Sequence, residues 1–304
     1  MPLPGFNLAA PPGQRLAALE LAREIEARGF PSLSISSSQG AMGQCLGLAF
    51  ATQRIAIASA IAPIYAQTVD EYAQTAAYLH EVTGGRFQFG IGIAHAPAYV
   101  RMGVTPGKPL GDIRSFVAKY RSFTGYGPLP PIVLATLRKR MIALAGEIGD
   151  GMLFSSGCLS HMPDSLAALP ATKRNDPGFF IGNRIRVCFD PDPAVARATL
   201  RQAMVHYALM PNYRNYWIEA GYAEEMTGIA TAIAESRQAD IPRYLTDRFL
   251  ADTTLSGTPA QVRDGLDAWR EAGISSPILV PLSADGNQTT ALRDVFAAFA
   301  GRSS

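Results

Sequence analysis

The sequence carries little charge and contains no long apolar run. Of its 304 residues, 17% are charged and 48% hydrophobic, and the formal net charge is +2. Lysines and arginines are scattered, so no basic stripe indicates nucleic-acid binding. No run reaches the ~20 apolar residues of a membrane span, and the segment Met1–Gly5 lacks the charged and apolar regions of a signal peptide. We therefore expect a soluble cytoplasmic protein that binds neither nucleic acid nor membrane.

Cysteine is also scarce. The three cysteines, Cys45, Cys158 and Cys188, are an odd number without close pairing, which argues against a disulfide framework. The only tight pair of candidate ligands is Cys158 with His161, and a metal needs several such groups around one point. The sequence therefore predicts no metal site.

Strand-like and helix-like patterns alternate along the whole chain. An open doubly wound sheet would need a G-x-G-x-x-G turn after the first strand, and none is present there. We therefore predict an α/β fold, a (β/α)8 TIM barrel formed as one domain over residues 1–304, with a helical insertion near residues 205–250. Capping boxes are predicted at Thr68 with Glu71 and at Thr258 with Gln261. The predicted strands are Phe6–Leu8, Ser32–Ser36, Arg54–Ser59, Arg86–Gly92, Pro131–Ala135, Gly151–Phe154, Arg184–Phe189 and Pro277–Val280.

Active sites of such barrels lie at the carboxyl ends of the strands. These ends carry hydroxyls, small residues and one imidazole, without the paired carboxylates of glycosidases, a Schiff-base lysine or a histidine cluster. A barrel with so few reactive side chains needs a cofactor for difficult chemistry. The alternative is that the serines simply terminate strands by bonding to the backbone. The strand ends are Ser36–Gly40, Ser59–Ile61, Ile93–His95, Thr136–Arg140 and Ser155–Gly157.

Two of these strand ends allow more specific hypotheses. The Arg138–Arg140 segment precedes a helix, where basic side chains and helix amides can hold a phosphate; the alternative is a solvated basic turn. His95 is the strand-end group suited to proton transfer near neutral pH, or else a structural histidine capping the next loop.

Three segments resemble the luciferase-like monooxygenase superfamily, in the order that the family has them. They are Thr83–Gly92, Pro131–Gly151 and Leu255–Ile274. These landmarks are spread along the chain from Thr83 to Ile274. The segments Gly90–Pro97 and Leu209–Trp217 are similar to the branch that uses coenzyme F420, a deazaflavin.

The resemblance implies positions for a cofactor. Ser59, Ala60 and Ile61 would support the ring, with a non-proline cis bond between Ala60 and Ile61, and Gly92, Ile93 and His95 would line its reactive face. The tail phosphate would be held by the strand ends that carry Ala135, Thr136, Leu137, Arg138 and Lys139, and Ser155, Ser156 and Gly157.

The resemblance also implies a function. We expect hydride transfer between coenzyme F420 and an organic substrate, with His95 moving the proton and Ser37 or Ser38 orienting substrate or ring. Ser37 and Ser38 stand where many relatives have a histidine or an acid. The alternatives are a two-component monooxygenase that uses reduced FMN, and a barrel that binds a ligand without catalysis. A homodimer is expected, and the aromatic residues Tyr213, Tyr216 and Trp217 form either a lid or part of the core.

Overall fold

The computed structural model describes residues 2–36 and 40–301. Strands and helices alternate through most of this range. Their bounds are β1 (Gly5–Leu8), α1 (Arg15–Ala27), β2 (Ser32–Ile35), α2 (Ala41–Ala51), β3 (Ala56–Ser59), β4 (Ala62–Pro63), α3 (Val69–Val82), β5 (Phe87–Gly92), α4 (Ala96–Met102), α5 (Pro109–Arg121), β6 (Ile132–Ala135), α6 (Lys139–Ile148), β7 (Gly151–Ser155), α7 (Met162–Leu166), α8 (Ala171–Arg174), β8 (Phe180–Cys188), α9 (Pro193–Ala208), α10 (Pro211–Glu219), α11 (Ala223–Ala234), α12 (Ile241–Tyr244), α13 (Asp247–Thr253), β9 (Thr254–Ser256), α14 (Pro259–Glu271), β10 (Ser276–Leu282) and α15 (Gln288–Ala298).

The described chain forms two compact units. Unit 1 contains the chain up to Phe154 and the segment Ala167–Gly182, and unit 2 contains Ser155–Leu166 and the chain from Asn183 onward. The chain passes between the units three times: within β7, after Leu166 at the end of α7, and within β8.

Unit 1 is built on a parallel sheet. Its strand order is β1, β2, β3, β5, β6, β7, and the two-residue β4 pairs with β5. Leu33 of β2 pairs with Phe6 of β1 and Ile57 of β3, and all three side chains are buried. A strand covered on both faces reads as an apolar run, which is why these strands are recognisable in the sequence.

Aromatic side chains fill the space between this sheet and its helices. Phe89 of β5 lies with its ring centre 5.4 Å from that of Tyr72 on α3 and 5.3 Å from that of Tyr120 on α5. All three side chains are buried. This packing fixes β5, and with it the strand end that carries Gly92.

Unit 2 contains the helical segment that the sequence predicts near residues 205–250. The segment begins earlier than predicted, at Pro193, because the Asp192 side chain accepts a hydrogen bond from the Ala194 amide and starts α9. Phe249 of α13 packs edge-on against Trp217 and Tyr222, with ring centres 4.9 and 5.2 Å apart. Strand β8 of this unit pairs with β9 and β10.

The predicted helix caps are present in different degrees. Thr258 and Gln261 form a complete capping box at α14. Thr68 accepts a hydrogen bond from the Glu71 amide, one half of the predicted box. Strands β4 and β9 were not predicted, since two or three residues are too short to show a period. None of the described helices combines the length and apolar character needed to cross a membrane.

Candidate active site

The carboxyl ends of β3, β5 and β6 come together in unit 1. Ser59 Oγ donates a hydrogen bond to the Gly90 carbonyl at 2.8 Å. A methyl group added to Gly90 would collide with the Ser59 carbonyl, and one added to Gly92 would lie 2.7 Å from Ala135 Cβ and 3.2 Å from the Ile61 side chain. The ends of these strands thus meet closely, and Ser59, Ile61, Gly92 and Ala135 lie side by side.

The Ala60–Ile61 peptide bond is cis, as the family resemblance implies. Ala60 is buried, and its amide donates a hydrogen bond to the Ile35 carbonyl of β2 at 2.7 Å. The segment after β3 is therefore attached to the neighbouring strand on one side and to β5 on the other.

His95 follows β5 and stands at the N-cap position of α4. Its carbonyl accepts hydrogen bonds from the amides of Ala98 and Tyr99 at 2.8 and 3.1 Å, but its imidazole does not cap the helix. The side chain is half-buried, as are Ile93 and Ala94 before it. The imidazole of His95 therefore does not act as the cap that the structural alternative predicts.

The predicted phosphate turn follows β6. The Thr136 amide bonds to the Leu153 carbonyl at 2.9 Å, whereas its buried Oγ1 has no hydrogen-bond partner among the described residues. Leu137 is half-buried. Arg138 occupies the N-cap of α6 with an extended backbone, and both Arg138 and Lys139 have exposed side chains. This turn therefore brings together a buried hydroxyl, two cations and the amino end of a ten-residue helix. Such a combination suits the binding of a phosphate.

Ser155, Ser156 and Gly157 lie in unit 2. Ser156 has a left-handed backbone with φ 56°, which is uncommon for a residue other than glycine. Its Oγ accepts a hydrogen bond from Arg186 Nη1 at 2.6 Å, and its carbonyl accepts one from Trp217 Nε1 at 3.2 Å. These bonds hold the turn, and the Gly157 amide donates to Asn183 Oδ1 at 3.4 Å.

The three aromatic residues considered for a lid belong to the core of unit 2. Tyr213 is 8% exposed, Tyr216 1% and Trp217 0%. Tyr216 Oη accepts a hydrogen bond from the Cys158 amide at 3.1 Å. The core alternative is therefore the one that the structure supports. Ser37 and Ser38, predicted to orient substrate or ring, lie outside the described residues.

Three residues that the sequence reasoning did not single out surround the Ser155–Gly157 turn. Arg184 and Arg186 lie on β8, and Tyr207 lies near the end of α9. The Arg186 guanidinium is 4.1 Å from the centre of the Tyr207 ring. Two arginines at alternate positions of a strand taken as buried were a signal that could have identified them.

Other kinds of site find less support. No group of three or more metal-ligating side chains lies together in residues 2–36 and 40–301. An open depression lined by Tyr120, Arg121, Pro131 and Asp150 precedes β6. It lies at the amino end of that strand, whereas active sites of this fold class lie at the carboxyl ends.

Comparisons with known proteins agree with the predicted fold. Over 96% of this chain, the structure matches the coenzyme F420-dependent tetrahydromethanopterin reductase from Methanopyrus kandleri, with a TM-score of 0.78, 16% identity and 97% of that chain covered. This likeness shows the fold, and the predicted (β/α)8 barrel is confirmed.

Two further proteins differ in the cofactor that their names give. The chain is 24% identical over 282 residues to a protein of Mycobacterium tuberculosis that carries the name coenzyme F420-dependent oxidoreductase. The match covers 77% of this chain and 81% of that one. The oxygenating constituent of 3,6-diketocamphane monooxygenase from Pseudomonas putida, in complex with FMN, matches with a TM-score of 0.66 and 14% identity, covering 98% of this chain and 97% of that one. A model of the luciferase-like monooxygenase family matches residues 7–276. The chain therefore belongs to the luciferase-like monooxygenase family, as its sequence motifs predict.

Proposed function

We propose that this protein is an oxidoreductase that transfers a hydride between coenzyme F420 and an organic substrate. The observation that carries the proposal is the meeting of Ser59, Ile61, Gly92 and Ala135 at the strand ends of unit 1. A surface of such small and apolar side chains can support a flat ring. The F420-dependent relatives favour the deazaflavin over other ring cofactors.

The residues of unit 1 have distinct roles in this proposal. Ser59, Ala60 and Ile61 support the ring, and Gly92, Ile93 and His95 lie along it at the carboxyl end of β5. When bound, a deazaflavin supplies two-electron hydride chemistry. His95 donates the accompanying proton when a carbonyl substrate is reduced, and it takes up that proton when an alcohol is oxidised.

The tail phosphate is assigned to the turn after β6. Thr136 Oγ1 is a buried hydroxyl whose hydrogen-bonding capacity is not met among the described residues, which fits a ligand oxygen at this point. Arg138 and Lys139 add positive charge beside the first amides of α6. Ser155, Ser156 and Gly157 are assigned to the same cofactor as further hydrogen-bonding groups.

A monooxygenase that uses reduced FMN is the second candidate. It is favoured by the likeness to an oxygenating constituent whose structure holds FMN. Both cofactors present a flat tricyclic ring and a phosphate, so the ring support in unit 1 suits either of them.

Calorimetric titration of the purified protein with F420 and with FMN distinguishes the two candidates. We expect tight F420 binding and a loss of about tenfold or more when Arg138 and Lys139 are both replaced by Ala, because each cation contributes a charge-assisted bond. The matched control replaces Lys173 and Arg174, an adjacent basic pair in α8, and should bind as the unaltered protein does. Preference for FMN would favour the monooxygenase, and binding of neither would overturn both candidates.

We further propose that the protein is a homodimer. Three consecutive helices of unit 1 carry large exposed apolar residues, with Leu16 on α1 81% exposed, Phe50 on α2 63% and Tyr78 on α3 51%. Helix α2 has no charged residue at all. Apolar surface of this kind is what a second subunit would cover.

A further inference from the structure

Two arginines lie two residues apart on β8, in unit 2. Because side chains alternate along a strand, Arg184 and Arg186 project on the same side. Arg186 is 6% exposed. Its guanidinium donates to Ser156 Oγ at 2.6 Å and lies over the Tyr207 ring. Among the described residues, no carboxylate forms an ion pair with Arg186, although a guanidinium removed from water normally requires a compensating negative charge.

Tyrosines and a serine are among the groups that act on these arginines. Burial lowers the pKa of Arg184, Arg186 lowers it further, and Tyr207 and Tyr213 act in the opposite direction. Burial raises the pKa of Tyr207, but Arg186 and Arg184 more than reverse this and lower it to about 8, helped by the Ser155 hydroxyl. The positive potential at this cluster therefore lowers the pKa of the phenol, which still keeps its proton at neutral pH.

The cluster is enclosed but can be reached by solvent. Ser155, Arg184 and Tyr207 each keep part of their surface accessible, while burial still acts on the pKa values of Arg184 and Tyr207. A negatively charged ligand group that reaches this cluster would meet both guanidiniums and the Tyr207 hydroxyl.

We propose that Arg184, Arg186 and Tyr207 form a binding site for an oxyanion, that is, a carboxylate, sulfonate or phosphate group. The planar fork of a guanidinium matches two oxygens of such a group, and the protonated Tyr207 hydroxyl supplies a further donor. The oxyanion belongs either to the substrate or to the cofactor. The assignment of the oxyanion to the substrate rests on the proposed function. The existence of the oxyanion site does not depend on that function.

Calorimetric titration of the protein with sodium sulfate, at constant ionic strength maintained with sodium chloride, tests the site without any cofactor. We expect saturable sulfate binding, weakened about tenfold or more in Arg186→Gln through the loss of a charge-assisted pair. The matched control is Arg197→Gln, which changes a half-buried arginine of α9 that pairs with Asp247 and should leave sulfate binding unchanged. Absence of saturable binding to the unaltered protein would overturn the proposal, as would equal affinity in a folded Arg186→Gln variant.

A second measurement needs no change to the arginines. Subtracting the tyrosinate absorbance of Tyr207→Phe from that of the unaltered protein gives the ionisation of Tyr207 alone. The groups that surround Tyr207 in this titration are Ser155, Arg184, Arg186, Tyr213 and the His206 ring. Sulfate should raise the pKa of Tyr207, because the bound anion offsets the guanidinium charges. Sulfate affinity should correspondingly fall as the pH rises above about 8. An unchanged titration of Tyr207 would contradict the proposal.

The source of the oxyanion is found by repeating the sulfate titration on protein saturated with F420 or with FMN. Competition would assign the site to the cofactor phosphate, and unchanged sulfate binding would assign it to the substrate. Because the first titration uses sulfate alone, the failure of either cofactor to bind would overturn the proposed function and leave the oxyanion site supported.

Discussion

At the scale of single residues, two glycines of β5 set how closely the strand ends of unit 1 approach. The Gly90 Cα faces the Ser59 carbonyl so closely that no methyl group fits between them, and the space at Gly92 is bounded by Ala135 and Ile61. Each obstacle at Gly90 is backbone, which cannot rotate away as a side chain can. The proposed ring support therefore depends on residues that have no reactive group.

Gly90→Ala should lower the free energy of unfolding by about 1–3 kcal/mol or more, because overpacking forces the β3 backbone to move. Urea unfolding followed by circular dichroism measures the change. Gly43→Ala is the control, since Gly43 lies in α2 with nothing near its added methyl group and should gain up to about 1 kcal/mol of helix propensity. Equal stability of the two variants would show that β3 and β5 do not pack as described.

His95 carries the proton transfer in the proposed function. His95→Asn should lower kcat by about 10²–10⁴-fold, the usual contribution of general acid–base catalysis, with little change in the Kd for the cofactor. Steady-state kinetics and cofactor titration separate the two effects. His80→Gln, a histidine on α3, serves as the control and should retain kcat; an equally active His95→Asn enzyme would exclude the imidazole as proton donor.

At the scale of elements, one carboxylate joins the first helix to the third strand. Glu26 of α1 accepts hydrogen bonds from the amides of Gln53, Arg54 and Ile55 at 2.9, 2.6 and 2.9 Å, just before β3. Burial raises the pKa of Glu26, but these amides outweigh it and the net shift is downward. The contact thus orients the segment that leads to Ser59.

Glu26→Gln should cost about 1 kcal/mol at neutral pH, since hydrogen bonds to a charged acceptor are stronger than those to an amide oxygen. Because the pKa of Glu26 is lower in the folded state, its stabilisation is complete above the unfolded pKa of about 4.3 and is lost as the pH falls through the folded value. Unfolding of the variant and the unaltered protein should therefore converge in acid. The control is Glu24→Gln, which removes only a surface pair with Arg28 and should lower the free energy of unfolding by less than about 0.5 kcal/mol. An equal loss of stability from both changes would contradict this role for Glu26.

The sequence predicts elements well where a pattern is long and poorly where it is short or broken. Apolar runs such as Ile132–Ala135 gave the strands of the sheet, and Pro259 with Thr258 gave the start of α14. The predicted helical segment begins too late, at about residue 205, although Asp192 followed by Pro193 is a signal for a helix start. The strand pattern does not identify Arg184 and Arg186 as functional candidates, because it does not tell which polar residues of a strand lie together with groups from other elements.

At the scale of the whole molecule, we propose that residues 1–304 unfold as a single domain. The chain passes between the two units inside β7 and β8, and loss of either strand would remove residues from both. We therefore expect one urea transition that coincides when followed by tyrosine fluorescence and by far-ultraviolet circular dichroism. Two separate transitions would mean that the units are independent domains.

The proposed homodimer is tested on the same purified protein. Phe50→Glu should shift the mass measured by light scattering from that of two chains to that of one, because a charge would replace an exposed apolar contact on α2. Ile218→Glu changes a residue of α10 that is 43% exposed and should leave the mass unaltered. A monomeric unaltered protein would exclude the dimer directly.

The burial of all three thiols makes the protein suitable for site-specific labelling. Cys45, Cys158 and Cys188 are each fully buried, and burial raises the pKa of each, to about 12 for Cys45. Thiolate is the reactive form, so maleimides at neutral pH should leave the native cysteines unmodified. A single Arg140→Cys change in the first turn of α6 would then carry a fluorophore beside Arg138 and Lys139, with no native cysteine to remove first.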